Sequence, residues 1–209
     1  MHLDYDRKLI LKNGEEYYGF SFGDSSDRIV EIVFNTSMAG YQEILSDPSY
    51  TDQGVVMTYP LIGNYGMADD DYETQTPTIG AMIVREYNDF PSNFRSTSTL
   101  DAVMKRYQIP GIHGVDTRRL TRTIRSGGSQ QGLLTRADLP LEDGIRALAH
   151  AEIPQDAVSR VSCDTPWTSP CAEPRFHVVA IDCGMKQNIV RSLNQKECNV
   201  TVLPWNASL

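Results

Sequence analysis

The sequence predicts an α/β chain in two parts: a β-rich first part and a parallel strand–helix–strand unit at the end. Three observations point there. Asn13-Gly14 sits between two apolar runs, a strong hairpin signal because both residues tolerate the positive φ of a tight turn. Residues 163–174 carry Pro166, Pro170 and Pro174 with Ser and Thr between them, which reads as an extended, weakly structured linker. Residues 177–203 then read strand, turn, helix, strand, the opening βαβ unit of a parallel sheet.

The elements follow in order. Residues 8–12 (KLILK) and 15–22 (EEYYGFSF) flank the Asn-Gly turn as paired strands. Residues 29–34 (IVEIVF) and 55–59 (VVMTY) are the third and fourth strands, with a short helix over 40–45 between them. That helix stops at Ser46-Asp47-Pro48-Ser49, a cluster of turn formers. Residues 79–84 (IGAMIV) form an unbroken apolar run, as expected of a strand buried on both faces. Over 99–107, Leu100, Val103, Met104 and Tyr107 share one helical face. Asp116 caps a helix over 117–125 that Gly127-Gly128 ends. Residues 132–135 return as a strand, and 141–151 form a helix with Leu141, Ile145, Leu148 and Ala149 inward. Past the linker come a strand over 177–181, an Asp182-Cys183-Gly184 turn, a helix over 186–197 and a strand over 200–203. Ile189, Val190 and Leu193 are its inward positions.

Charge narrows the function. Against 19 Lys+Arg stand 27 Asp+Glu among 209 residues, a formal net charge of −8. Such a field repels phosphate and argues against general nucleic-acid or anionic-membrane binding. No apolar run approaches the ~18–20 residues that span a bilayer. The acidic, polar start is not a targeting segment, so a cytoplasmic location is expected. Cys163, Cys171, Cys183 and Cys198 crowd the last quarter without zinc spacing, and four reduced thiols are expected rather than a metal site or disulfide framework.

Few residues announce chemistry. No G-x-C-x-G or G-x-S-x-G elbow is present. Cys183 closes a strand as a small apolar residue. His150 and Glu152 fall at a helix end as a surface pair, and His113 lies in a loop before the capped helix. Asp69-Asp70-Asp71 lacks the glycine turn of an EF-hand. The one charge anomaly is the face carrying Arg118, Arg119, Arg122 and Arg125. It is either a solvated face or a contact for a partner protein or acidic substrate.

Longer stretches go further. Residues 33–50 (VFNTSMAGYQEILSDPSY), 58–66 (TYPLIGNYG), 92–95 (SNFR), 114–121 (GVDTRRLT) and 176–189 (FHVVAIDCGMKQNI) resemble, in order, the small subunit of glutamine-hydrolysing carbamoyl phosphate synthetases. The resemblance implies a compact β/β/α N-terminal domain over residues 1–162, a linker over 163–175, and the truncated start of a class I glutamine amidotransferase domain over 176–209. It implies a subunit that hydrolyses glutamine and sends ammonia to a large ATP-dependent subunit, for carbamoyl phosphate used in arginine and pyrimidine synthesis. Ser49, in the Asp-Pro-Ser-Tyr turn, matches the family's serine that reaches the glutamine site. ATP and Mg²⁺ would belong to the large subunit, and this chain would hold no cofactor or metal. The family's elbow cysteine, its histidine and glutamate, and its oxyanion glycines match no position here. The chain as given is therefore expected to be inactive alone. The alternative expectation is a non-catalytic module that binds the large subunit.

Overall fold

Hydrogen-bond closure organises the first part. In a computed structural model, which describes residues 4–74 and 76–208, β1 (Arg7–Leu11) and β2 (Glu16–Gly23) pair antiparallel around Asn13-Gly14. Gly14 takes φ 89°, the left-handed turn conformation that glycine adopts without steric cost. Then come β3 (Arg28–Asn35), α1 (Tyr41–Leu45), a 3₁₀ turn (Pro48–Tyr50), β4 (Gln53–Met57) and β5 (Leu61–Ile62). A 3₁₀ turn (Asp69–Asp71), β6 (Ala81–Ile83), β7 (Glu86–Tyr87), α2 (Leu100–Arg106), β8 (Pro110–His113), α3 (Thr117–Gly127) and β9 (Gln130–Arg136) follow. Seven strands close into a barrel in the order β1-β2-β8-β6-β4-β3-β9. The β3/β4, β4/β6 and β6/β8 pairs are parallel. The other four are antiparallel, and β9 closes the ring by pairing with both β1 and β3.

Side-chain alternation sorts the strands into two layers. Leu9, Leu11, Val30, Ile32, Val56, Ala81, Ile83, Ile112 and Leu134 fill the interior, and Leu120 and Ile124 of α3 continue that cluster. Val55, Met57, Met82 and Val84 pack outward with residues of α1 and α2. The run over 79–84 is apolar on both faces for this reason. A narrow barrel needs small residues at some inward positions. A Cβ on Gly54 would lie 2.7 Å from Val30 Cγ2, and one on Gly132 would lie 2.9 Å from Ile32 Cγ1.

The remainder comprises α4 (Leu141–Ala149), α5 (Ala157–Val161), β10 (Trp167–Ser169), β11 (Phe176–Asp182), α6 (Gln187–Gln195) and β12 (Cys198–Pro204). β11 and β12 are parallel across α6, as the βαβ reading expects, and β10 adds an antiparallel edge. Val190, Cys198, Val200 and Val202 form a small core there.

Several expectations change. The mixed α/β class stands, but the closed barrel was not read from the sequence. His113, expected in a loop over 111–114, instead ends strand β8, Pro110–His113. Part of the proline-rich stretch is strand β10. On α4, Leu141 and Ala149 are exposed. Leu148 and Ile145 do pack inward, against Ile10 and Leu133, and Gly144 lets the helix approach so closely that a Cβ there would come within 2.4 Å of Ile10 Cδ1. On α6, Ile189 is 48% exposed while Val190 is buried, because the small sheet covers only one side of the helix. Among the described residues, no helix is long and apolar enough to cross a membrane.

Filling the barrel interior should destabilise the chain. Gly54→Val gains strand propensity yet drives methyls into Val30 and Ile32. We expect a net loss of about 1–3 kcal/mol, read from the urea midpoint. A stabilised variant would show that the interior has room.

Candidate functional site

The stretch 33–50 is locked to 58–68 by buried polar contacts. Gly40 takes φ 85° before α1, and the N–H groups of Gly40 and Tyr41 both donate to Tyr65 Oη at 2.9 Å. The Tyr41 and Tyr65 rings stack with centroids 4.1 Å apart, and Tyr41 Oη donates to the Gly66 carbonyl at 2.8 Å. Burial raises both phenol pKa values, most of all for Tyr41. Both phenols therefore stay protonated, Tyr41 as a donor to Gly66 and Tyr65 as the acceptor of two backbone N–H groups. Gln42 is buried and pairs with the backbone of Ala68 through both ends of its amide, at 2.5 and 2.8 Å.

This unit presents the turn with Ser49. Asp47 Oδ1 accepts the Ser49 N–H at 2.9 Å, and Pro48 opens the 3₁₀ turn. Ser49 is exposed at its tip. Asp47 Oδ2 accepts from Lys186 Nζ at 2.6 Å, just before α6. That pairing raises the Lys186 pKa against partial desolvation. A second clasp lies alongside. Glu73 accepts the Asn188 amide at 2.7 Å through its side chain and the Gln187 N–H at 3.0 Å through its carbonyl. Ser46 Oγ links them, donating to the Gln42 carbonyl and accepting the Glu73 N–H, both at 2.9 Å.

The turn on the other side is built by Asp182. Its Oδ1 accepts the N–H groups of Gly184 and Met185 at 2.9 and 2.8 Å, and its Oδ2 accepts that of Cys163 at 2.8 Å. A cleft of about 670 Å³ runs here past Pro48, Thr78, Arg160, Cys163, Asp182 and Met185. A smaller one of about 320 Å³ is lined by Asn35, Ser37, Glu43, Asp47, Tyr50 and Lys186. Hydroxyl, carboxylate and ammonium groups gathered at such a junction can hold the charged end of an amino acid. They do not make an activated nucleophile. Burial and the neighbouring Asp182 push the Cys163 thiol up, which keeps it protonated.

The remaining candidates fall apart as sites. His113 is half-buried against Phe20, Phe22 and Tyr87, and burial lowers its pKa. His150 ends α4 in an exposed position, and Glu152 and Cys183 are exposed as well. Arg95 pairs with Asp71 at 2.9 Å and with Asp70 at 3.9 Å, and Thr97 Oγ1 donates to Asp69 at 3.1 Å. Among the described residues, no group of three His, Cys, Asp or Glu side chains is arranged to hold a metal ion.

The arginine face does form a surface. Asp116 caps α3 by accepting the Arg119 N–H at 2.9 Å. Arg119 itself is satisfied, pairing with Glu15 at 3.2 Å and lying 5.0 Å from the Tyr17 ring centroid. Arg118, Arg122 and Arg125 are exposed and make no ion pair or hydrogen bond among the described residues. Helical spacing could show the cluster, but not the partner that Arg119 finds on the β1–β2 turn.

The profile of the family described as carbamoyl-phosphate synthase small chain, CPSase domain, matches residues 9–134. The carbamoyl phosphate synthase pyrimidine-specific small chain of Bacillus subtilis (strain 168) is 46% identical over 200 residues, covering 96% of this chain and 54% of that protein. The carbamoyl phosphate synthase small chain of Staphylococcus haemolyticus (strain JCSC1435) is 48% identical over 202 residues, covering 97% and 55%. That of Fusobacterium nucleatum subsp. nucleatum is 47% identical over 204 residues, covering 98% and 56%. The chain spans about half the length of the curated relatives it matches.

Two stability experiments test this geometry. Asp47→Ala removes the cap on the Ser49 turn and should cost about 1–2 kcal/mol in urea unfolding. Lys186→Met should cost less than about 1 kcal/mol, because Lys186 stays 39% exposed and its pair is screened. Because Asp47→Ala removes the ion pair as well, equal losses in the two variants would assign the whole effect to the pair and none to the cap. For His113, the folded pKa lies below the unfolded one, so the unfolded state binds the proton first. Its effect on stability is nil well above the unfolded pKa of about 6.5 and grows unfavourable as pH falls through that value. His113→Phe should flatten the loss between pH 7.5 and 5.5, and an unchanged slope would assign it to other groups.

Proposed function

The chain belongs to the carbamoyl-phosphate synthase small-chain family, and from that premise we propose that it forms part of a glutaminase subunit. That subunit releases ammonia from glutamine and passes it to a large ATP-dependent synthetase subunit, which makes carbamoyl phosphate for arginine and pyrimidine synthesis. Residues 1–162 are the N-terminal domain, 163–175 the linker and 176–209 the start of the amidotransferase domain. ATP and Mg²⁺ act in the large subunit, and no residue of this chain is asked to hold either.

The observation that carries the reading is the double use of Asp47. One carboxylate oxygen fixes the Ser49 N–H and the other holds Lys186 at the head of α6. The serine turn of the first part is thereby set against the first turn of the second. An exposed hydroxyl on a fixed turn can donate to the carboxylate of glutamine and accept from its ammonium. The chemical step is attack of a cysteine thiolate on the side-chain amide, loss of ammonia, and hydrolysis of the glutamyl thioester. Cys163 is held protonated and no cysteine here sits on an elbow. The thiolate of this reaction therefore comes from outside residues 1–209. Within them, Ser49 binds substrate while Asp47 and Lys186 position it.

Ammonia release from glutamine tests the proposal. The complete small chain should turn over glutamine, and the purified 209 residues should not. Turnover by the 209 residues would refute the division of labour. In the complete chain, Ser49→Ala should raise KM about tenfold with little change in kcat, as loss of a hydrogen bond to a charged group predicts. An unaltered KM would remove Ser49 from the site.

A further inference from the structure

The barrel brings an unused charged surface to one end. Strands β4, β6 and β8 run parallel, so their carboxyl ends lie together. A groove of about 820 Å³ opens there, lined by Thr58 and Pro60 after β4, Arg85 after β6, and Arg118, Arg122 and Arg125 on α3. A second groove, about 770 Å³, lies on the other flank of α3 and shares Arg118 and Arg122. The helix is thus a basic ridge between two shallow grooves. Three of its guanidiniums have no partner among the described residues, in a chain whose net charge is −8. Carboxylates were available to neutralise them and did so only for Arg119, through Glu15.

We propose that this ridge is the docking surface for a carboxylate-rich face of a protein partner. Two features favour a protein over a small anion. A small-molecule site encloses its ligand in largely apolar walls, whereas these walls are arginines and threonines with Pro60 and Glu86, which pairs with Arg85 at 4.0 Å, and the arginines of the helix face both flanks, the second also carrying Glu15 and Asp116. Apolar side chains also adjoin it. Tyr59, between Thr58 and Pro60, is exposed, as are Met38 and Phe90. Tyr59 and Met38 line a shared hollow beyond the groove. The segment with Phe90 runs beside 62–64 through hydrogen bonds of Asn88 and Ser92. Arginine, aromatic and methionine side chains together are the composition of a protein contact. The inference rests on the small-chain reading for the partner's identity, which is then the large subunit.

Association kinetics of the complete small chain with the large subunit test it, at low and high salt. The charge-reversed variant Arg118→Glu/Arg122→Glu/Arg125→Glu should associate roughly tenfold or more slowly at low salt, with a flattened salt dependence, because steering is lost. Arg146→Glu, an exposed reversal on α4, should leave the rate nearly unchanged. The alanine triple variant should fall between wild type and the glutamate variant, and circular dichroism checks that both variants fold. If the triple variants match wild type in rate and salt slope, the ridge is not the docking surface, and the small-chain reading stands. If wild type binds no large subunit, both fall. If citrate or inorganic phosphate binds the ridge while the variants leave association untouched, the surface is a small-anion site and the proposal is overturned.

Discussion

Strand β9 bonds to β1 on one side and β3 on the other, and much else in the molecule depends on that double pairing. It turns a run of short strands into a ring with no free edge, so no edge hydrogen bonds are left for solvent or a neighbouring chain. Closure also fixes the bore. Interior positions must then mix Leu and Ile with residues as small as Gly54, Ala81 and Gly132. Because three adjacent pairs are parallel, closure sends their crossover segments outside, where α1 and α2 cover them. The candidate site sits on one of these crossovers, the segment between β3 and β4 that carries Ser49. The barrel is a frame for what passes between its strands.

How much of this was legible varies with the range of the interaction. Local signals held. Asn13-Gly14 made the hairpin, Asp116 capped α3, and Leu100, Val103 and Met104 of α2 faced inward. Each needs only neighbours a few positions away. Closure was not legible, because nothing in residues 130–136 states which two strands they join. β8 was missed because Pro110 and Gly111 disfavour a strand, and the barrel overrides that preference. The helix faces misjudged at Leu141 and Ile189 share one cause. Apolar periodicity names the side of a helix that could be buried, but the partner decides which residues touch. For α4 that partner is the patch of Ile10 and Leu133, which Leu148 and Ile145 cover and which Gly144 approaches closely.

The candidate site divides in the same way. Ser49 was pointed out by resemblance, and its turn by Asp-Pro chemistry. The tie from Asp47 to Lys186, and that from Glu73 to Asn188, join residues far apart in the chain and left no sequence signal. They are also what ties the two regions together. A substitution at Glu73, nowhere near Ser49 in sequence, acts on the same junction. The arginine ridge was visible as a helical stripe, whereas the satisfaction of Arg119 and the isolation of Arg118, Arg122 and Arg125 belong to the fold.

The pairing of Arg7 with Arg136 sets a schedule for synthesis. The first hairpin leaves the ribosome early, but its outer edge has no partner until β9 emerges. At typical elongation rates of about 5–20 residues per second, that interval is on the order of ten seconds. Throughout it, Leu9 and Leu11 belong to a barrel that cannot yet exist. The nascent chain must wait with an open strand edge and an uncovered apolar face, the form that chaperones recognise. The last strand of the ring therefore decides when the first one becomes safe.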